Sequence, residues 1–178
     1  VREMLTTSPH VTGFSFRANG FALLSSNHRT YGGMVTGVEP DKERQVSTVP
    51  NAIKKGHYLE AGDTNAAVIG RLLAKNLKVD VGDELIVLGS GRDGSVAATV
   101  LVIKGIFSSG MDAYDRAGIQ MPLPYFQEVF MMAGAVHQAN ILCDTLSSVE
   151  AVQTDLSGKL SQLPARKPLV CKSWDELM

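Results

Sequence analysis

One glycine-rich run matches a pattern that can bind a cofactor: Gly89-Ser90-Gly91-Arg92-Asp93-Gly94 fits the GxGxxG motif of dinucleotide-binding folds. Such a site needs a helix directly after the motif, because the helix N-terminus faces the pyrophosphate. The following residues, 95–103, are largely apolar and several are β-branched, which predicts a strand. The run therefore predicts a hairpin loop, and we expect no nucleotide and no other cofactor.

The ionisable side chains do not form a recognisable catalytic or metal-binding set. The four histidines lack the close spacings typical of metal ligands; they are His10, His28, His57 and His137. Asp112 and Asp115 lie three residues apart in a polar loop, where turn formation and capping are their usual roles. No serine lies in a GxSxG motif. We expect no catalytic, cofactor-binding or metal-binding residues, and a protein that is not an enzyme.

The two cysteines, Cys143 and Cys171, each lie in a short apolar segment. A disulfide between neighbouring strands would fit an oxidising compartment. Two buried free thiols fit equally well, because cysteine is among the most buried residue types. Neither cysteine belongs to a CxxC pair, so a metal site is not indicated.

Composition describes an ordinary globular chain. It has 178 residues, a formal net charge of −1, 44% hydrophobic and 20% charged residues. The balanced charge argues against nucleic acid as the main partner, because phosphate binding requires clustered Lys and Arg. The alternating charges of residues 41–44 predict a solvated turn. The longest mainly apolar run, Val96–Ile103, is far shorter than the roughly 20 residues that span a bilayer.

The chain ends suggest a piece of a longer protein. Val1 is not an initiator methionine, and Ser173 to Met178 resembles a helix that has only begun, with Ser173 as its cap and Glu176 three residues later. We therefore expect an excised domain.

The first third of the chain predicts a short helix over Arg2–Thr7 and a long strand-like stretch over Val11–Leu24. Its aromatic residues change parity, from Phe14 and Phe16 to Phe21, on either side of Asn19-Gly20. That dipeptide favours a hairpin, although a bulge in one long strand would also switch the faces. Residues 26–28 form a second candidate turn, before a strand over 34–38. Residues 41–62 predict a long connection with a lobe boundary near 51–56.

The rest of the chain alternates strands and helices. Strands are predicted at 66–69, 84–88, 96–107, 119–123, 139–144 and 168–171, and helices at 72–79, from Pro124, and at 149–163. Ser147 and Glu150 form a predicted capping box for the last helix. Residues 108–118 predict a loop. Strand, helix and strand at the C-terminal end predict a right-handed crossover, if the two strands are parallel. The fold class is α+β, or mixed α/β.

Several segments together resemble the MacB-type periplasmic core domain of FtsX-like and lipoprotein-releasing ABC-transporter permeases. The most specific segment covers 67–74 and 77–85, which is similar to the family's "vilG…LA…Lgv..GDel.v" run. Others are 34–40 with its Gly-Val-Glu-Pro turn, 55–59, 106–123, and 173–177, which is similar to the "sW.el" that leads into the second membrane helix. The order and spacing of these motifs cover nearly the whole chain.

The resemblance implies a domain between two membrane helices, on the periplasmic side of the cytoplasmic membrane. It implies a discontinuous βαβ-containing lobe from residues 1–54 and 135–178, with a small α/β lobe inserted at 55–134. The implied function couples cytoplasmic ATP hydrolysis to export or release of a lipoprotein, peptide or small molecule. The implied partners are an ATPase subunit or domain, a second permease copy or paralogue, and a periplasmic carrier or adaptor.

One departure concerns carrier recruitment. In lipoprotein-releasing relatives the hairpin that matches residues 88–96 can carry a long loop that recruits a carrier, whereas here the loop is only Gly89 to Ser95. No recruitment residues are carried over. A free-standing secreted binding module is the alternative function.

Overall fold

A computed structural model describes residues 1–27, 29–164 and 168–177. The predicted turn at 26–28 includes His28, which lies outside the described residues. The strands are β1 Val11–Ser25, β2 Thr30–Val38, β3 Ile53–Gly56, β4 Ala66–Gly70, β5 Glu84–Ser90, β6 Val96–Phe107, β7 Gly118–Pro122 and β8 Gln138–Cys143. The α-helices are α1 Arg2–Thr7, α2 Pro40–Val46, α3 Arg71–Leu77, α4 Asp112–Ala117, α5 Leu123–Val129 and α6 Val149–Leu160. The predicted α+β class is confirmed.

The chain divides into two compact units, Val1–Phe14 with Ile141–Met178, and Ser15–Asn140. The first contains α1 and α6, and its buried apolar side chains include Leu5, Val152 and Leu156. The larger unit contains most of the sheet. The predicted lobe boundary at 54/55 lies well inside the larger unit, and the one at 134/135 lies close to its C-terminal end. A division into lobes at these two positions stays a prediction.

Strand pairing closes into a circuit in the Ser15–Asn140 unit. The order β2-β7-β4-β6-β5-β1 ends where it began, because β1 also pairs with β2. The long strands make closure possible: β6 pairs with β5 over Val96–Val102 and with β4 from Val102 onward. Many of the buried strand side chains are aliphatic, among them Leu24, Val35, Leu85, Val87 and Leu101. Closure leaves few unpaired strand edges in the circuit.

β1 is one unbroken strand, so both the hairpin and the bulge predicted at Asn19-Gly20 are wrong. Its register with β2 runs without a shift from Arg17 opposite Val38 to Ser25 opposite Thr30. Gly20 serves close packing instead of a turn, because a Cβ there would lie 3.1 Å from the Phe130 ring. The aromatic residues of β1 change parity because Phe14 and Phe16 are buried on one face of the strand, whereas Phe21 is exposed on the other.

Residues 41–44 belong to helix α2 and are not a solvated turn. Pro40 is well placed at the helix start, where its missing N–H is no loss. Glu43 is fully buried and accepts hydrogen bonds from Ser15 Oγ, at 2.8 Å, and from the Arg17 guanidinium. Alternating charge predicts solvent exposure, which holds for Asp41 and Arg44, whereas Glu43 forms a buried ion pair with Arg17.

Three further differences concern local elements. The predicted loop 108–118 contains α4. The capping box lies two residues early, with Thr145 and Ser148 exchanging the two hydrogen bonds. Residues 168–171 are not a strand, so the predicted second strand of the crossover is absent there. At the C-terminal end a 3-10 turn forms over Trp174–Leu177, and Glu176 accepts a hydrogen bond from the Ser173 backbone N–H at 3.0 Å.

Candidate functional site: an uncovered apolar sheet face

The outer surface of β1, β5 and β6 carries a continuous group of apolar side chains. Strand register places Leu23 opposite Leu88 and Ile86 opposite Val100. Directly paired residues of an antiparallel sheet share one face, so these strands form one surface. We call it the outer apolar face; its exposed members are Phe21, Leu23, Ile86, Leu88, Val96, Val100 and Val102.

Alternation along each strand places one apolar set inside and another outside. On β1 Leu24 is fully buried whereas Leu23 is 51% exposed, and Phe21 is 81% exposed. Strands with near-continuous apolar runs are usually covered on both faces. Here the chain itself covers only the inner face, among the residues that the structure describes. The outer apolar face is therefore a surface suited to contact with something else.

The size and charge of this face fit a contact surface. Its seven side chains expose several hundred Å², comparable with the roughly 300–600 Å² of the largest and often functional patch of a monomer. No member is charged. Glu84, opposite Val102, lies at one end, and Arg92 and Asp93 lie in the β5–β6 turn at the other. An apolar centre with ionic groups of both signs at its ends is typical of protein interfaces.

The glycine-rich run forms the hairpin loop that the sequence predicted. β5 ends at Ser90 and β6 begins at Val96, with no helix between them. The Gly91 N–H donates to the Ser95 carbonyl oxygen at 2.8 Å, and Asp93 accepts hydrogen bonds from Ser95. These bonds from Ser95 lower the pKa of Asp93. The loop is closed by its own side chains and its backbone.

Asp112 and Asp115 both lie near the Arg71 guanidinium, at 3.8 Å and 4.0 Å, but their environments differ. Asp115 is buried and accepts hydrogen bonds from the Ser109 backbone N–H, at 2.8 Å, and from the Ser109 and Ser108 hydroxyls. Asp112 is exposed, 3.8 Å from the Arg71 guanidinium. Asp115 lies within α4, where its carboxylate holds the preceding Ser108–Ser109 segment, and the predicted turn-forming role of the two aspartates stays a prediction.

The described histidines are dispersed in space as well as in sequence. His10 Nδ1 lies 2.8 Å from Asp144 Oδ2, within the Val1–Phe14 and Ile141–Met178 unit. His137 Nδ1 accepts a hydrogen bond from the Asn19 backbone N–H in the other unit. Among the described residues, no group of three or more His, Cys, Asp and Glu is arranged to hold a metal ion.

Cys143 and Cys171 are both free thiols of intermediate burial. Burial raises the pKa of each thiol, and the charge of Asp144 adds to the effect at Cys143. For Cys171 the second cause is repulsion from Cys143 when both thiols are ionised. Raised pKa values keep both groups protonated and slow to react near neutral pH.

A buried polar chain is another feature that the sequence did not indicate. The Tyr58 hydroxyl donates to Gln120 Oε1 at 2.7 Å, and Gln120 Nε2 donates to the Tyr114 hydroxyl at 3.1 Å. Burial raises the pKa of both tyrosines, and the charge of Glu43 raises that of Tyr58 further. Each group is satisfied by the others, so this chain stabilises the interior and offers no reactive group to solvent.

No helix in the described ranges is long and apolar enough to cross a membrane. No family model matches the chain. Curated proteins do: the lipoprotein-releasing system transmembrane protein LolC of Xylella fastidiosa strain Temecula1 is 30% identical over 135 residues, and that of strain 9a5c is 31% identical. Each alignment covers 72% of this chain and 32% of LolC. The chain thus spans about a third of the relatives it matches.

Solved structures share the fold. The extracellular domain of the ABC-type transporter YknZ from Gram-positive bacteria has a TM-score of 0.70 at 10% identity, covering 89% of this chain and 79% of that one. The periplasmic region of MacB from Actinobacillus actinomycetemcomitans has a TM-score of 0.63 at 12% identity, covering 88% and 71%. A permease domain from Porphyromonas gingivalis has a TM-score of 0.60 at 16% identity, covering 93% and 70%.

The similar proteins include a transmembrane protein, the extracellular domain of a transporter and a permease domain, so a free-standing binding module is not favoured. Sequence similarity to LolC and the shared fold agree with the motifs at 34–40 and 67–85. The chain is a MacB-type domain of an ABC-transporter permease.

Proposed function

We propose that this domain stands on the periplasmic side of the inner membrane and couples cytoplasmic ATP hydrolysis to the release of a lipoprotein. The name of the LolC relatives supports this cargo over a peptide or a small molecule. ATP hydrolysis belongs to a separate cytoplasmic ATPase subunit or domain, and this domain is not an enzyme. A second permease copy or paralogue completes the transporter, and a periplasmic carrier or adaptor receives the cargo.

The observation that carries the proposal is the outer apolar face. A domain that transmits movement must contact a partner or a cargo, and contact surfaces of this kind are apolar at their centre. Val96 is 73% exposed and Phe21 is 81% exposed, so the face is available for such contacts. Coupling also requires that the domain adopt two arrangements relative to its partner. Contacts through the outer apolar face would stabilise one of them.

The test uses the full-length permease and its ATPase in proteoliposomes that contain a fluorescently labelled bacterial lipoprotein. Addition of ATP should release the lipoprotein to an acceptor protein. We expect the double substitution Leu88→Ser and Val100→Ser to lower this release about tenfold, because it makes the centre of the outer apolar face polar. The readout is labelled lipoprotein that leaves the vesicles.

Val81→Ser is the matched control, because Val81 is an exposed valine in a turn outside the face. It should release lipoprotein at the wild-type rate. The lipoprotein-releasing function would be contradicted if lipoprotein were released without ATP. It would also be contradicted if no lipoprotein were released although the ATPase is active. Wild-type release by the double variant would exclude the face from it.

A further inference from the structure

The outer apolar face has charges of opposite sign at its two ends. Glu84 is the first residue of β5 and lies on the same side of the strand as Leu88, because side chains alternate along a strand. Arg92 lies in the turn after β5, four residues beyond Leu88, just as Glu84 lies four residues before it. Asp93, in the same turn, accepts hydrogen bonds from Ser95.

Neither end charge is used inside the chain. Glu84 and Arg92 are both exposed, and among the described residues neither side chain forms an ion pair. Each end of the face therefore offers a charge to a partner, and the two ends require opposite signs from it.

The area of the face equals about half of a dimer contact. Its apolar side chains expose several hundred Å². Two copies that each contribute this face would together bury roughly 1,200 Å², which is the lower end of the range for specific protein interfaces. The face is thus large enough for a weak and specific contact between two copies.

The regular surface of the face suits a second sheet. β5 and β6 are paired without a register shift from Glu84 opposite Val102 to Ser90 opposite Val96. Sheets that pack face to face in the aligned manner keep their strands within about 30° of each other. In a two-fold dimer both copies use the same patch, so the patch must be complementary to itself.

The end charges select one of two aligned two-fold arrangements. If the axis runs along the strands, Glu84 of one copy lies over Glu84 of the second copy, and like charges meet at both ends. If the axis runs across the strands at Leu88, the strands run in opposite directions and Glu84 of each copy lies near Arg92 of the other. Like charges in contact are unfavourable, so the second arrangement is selected. An acyl chain would leave both charges without a partner.

We propose that a second copy of this chain covers the outer apolar face in a two-fold dimer whose β5 strands run in opposite directions. This inference rests on the second permease copy of the proposed function and names the surface that the copies share. Leu23 and Leu88 are paired across β1 and β5, and the axis places this pair at the centre of the contact.

The first experiment measures self-association of the 178-residue chain by sedimentation equilibrium at concentrations up to about 1 mM, where even a weak dimer is populated. We expect a reversible equilibrium between monomer and dimer, without larger species, because a two-fold contact uses the same face of both copies. Leu88→Ser should raise the dissociation constant at least tenfold, because both copies then place a hydroxyl at the centre of the contact.

Leu146→Ser is the matched control. Leu146 is also an exposed leucine, but it lies in the unit formed by Val1–Phe14 and Ile141–Met178. This variant should dimerise as the wild type does, and circular dichroism should show that both variants are folded.

Charge reversals test the arrangement without a change in the apolar centre. At low ionic strength, Glu84→Arg alone and Arg92→Glu alone should each raise the dissociation constant about threefold or more, because each brings like charges together at both ends. Both substitutions in one chain should restore the wild-type value, because the two signs are exchanged and both pairs form again. Glu84 and Arg92 are exposed, so these variants keep the test valid if Leu88→Ser fails to fold.

Several results would overturn the proposal. A wild-type chain that stays monomeric up to about 1 mM would do so, as would a dimer that Leu88→Ser does not weaken. If neither single charge reversal weakens the dimer, the proposed strand direction is wrong. If the monomeric chain instead binds phosphatidylcholine vesicles and Leu88→Ser abolishes that binding, lipid covers the face and the proposal is wrong.

The measurements of self-association need neither ATP nor lipoprotein. Absence of ATP-dependent release with an intact dimer would therefore refute only the proposed lipoprotein release. Loss of the dimer with intact release would refute only the dimer contact.

Discussion

The inner and outer faces of β1, β5 and β6 have similar compositions but different environments. Leu24, Val87 and Leu101 point into the circuit and are fully buried, whereas Leu23 and Leu88 on the same strands are about half exposed. Hydrophobicity alone therefore does not separate a core residue from a contact residue. The difference depends on which side of the sheet the rest of the chain covers.

The interior also accepts charge where the outer apolar face does not. Glu43 is fully buried, and its carboxylate is held by Ser15 and Arg17. The outer apolar face contains only hydrocarbon side chains. The buried charge of Glu43 is stable because it is paired and hydrogen-bonded. The outer apolar face is exposed to water, which is unfavourable for apolar side chains unless a partner covers them. The first feature serves the fold, and the second is available for binding.

The largest expected effect is on the buried carboxylate. Glu43→Ala removes the partner of a largely buried guanidinium and should lower the free energy of unfolding by about 3–5 kcal/mol. Urea unfolding followed by circular dichroism measures it. Glu60→Ala is the control, because Glu60 is exposed and contacts Lys104 at 3.0 Å; it should change stability by about 1 kcal/mol or less. Equal effects of the two substitutions would contradict a buried ion pair.

The next prediction compares neighbouring leucines on opposite faces. Leu24→Ala should lower the free energy of unfolding by about 2–5 kcal/mol, because it leaves a cavity inside the circuit. Leu23→Ala should change it by about 0.5 kcal/mol or less, as is usual for surface substitutions. Equilibrium urea unfolding of the 178-residue chain measures both changes in the free energy of unfolding. A large loss for Leu23→Ala would mean that the outer apolar face is part of the core.

The smallest effect concerns an exposed polar contact, which gives a baseline for what surface contacts contribute. The Ser148 hydroxyl and His10 lower the pKa of Asp144 to about 2, from an ordinary value of 3.8. The ionised form is thus favoured in the folded state, so its stabilising effect is present above pH 4 and is lost as the pH falls toward 2. Asp144→Asn should lower the thermal midpoint slightly at pH 5. The difference from wild type should vanish near pH 2; a constant difference would contradict this assignment.

Much of the fold could be predicted from the sequence because its signals are local. The hairpin of β5 and β6 followed from two apolar runs around a glycine-rich turn, and helix α6 from apolar residues at helical spacing. Val152 and Leu156 of that stripe are buried as expected. The GxGxxG run was correctly assigned to a loop because the required helix was missing.

The errors occur where long-range contacts override local signals. Asn19-Gly20 favours a hairpin in isolation, but the pairing of β1 with β2 from Arg17 to Ser25 carries one strand through it. The charges of residues 41–44 suggested solvent, but Arg17, 26 residues earlier, pairs with Glu43. The outer apolar face had one signal in the sequence, the parity change of the aromatic residues of β1. That change predicts a hairpin or a bulge, whereas in the structure it reflects a second apolar face.

Local sequence patterns were enough to predict the α+β class, the order of most elements and, through motifs such as 67–85, the resemblance to permease domains. Those properties follow from short-range periodicity and spacing, which the chain carries regardless of its contacts. Three features became visible only in the folded chain. The strands close into a circuit, and Phe21 and Leu23 face outward. Gly70 packs against the Asp115 carbonyl oxygen, which would lie 2.2 Å from a Cβ at position 70. Exposure is a property of what covers a residue, and covering groups lie far away in sequence.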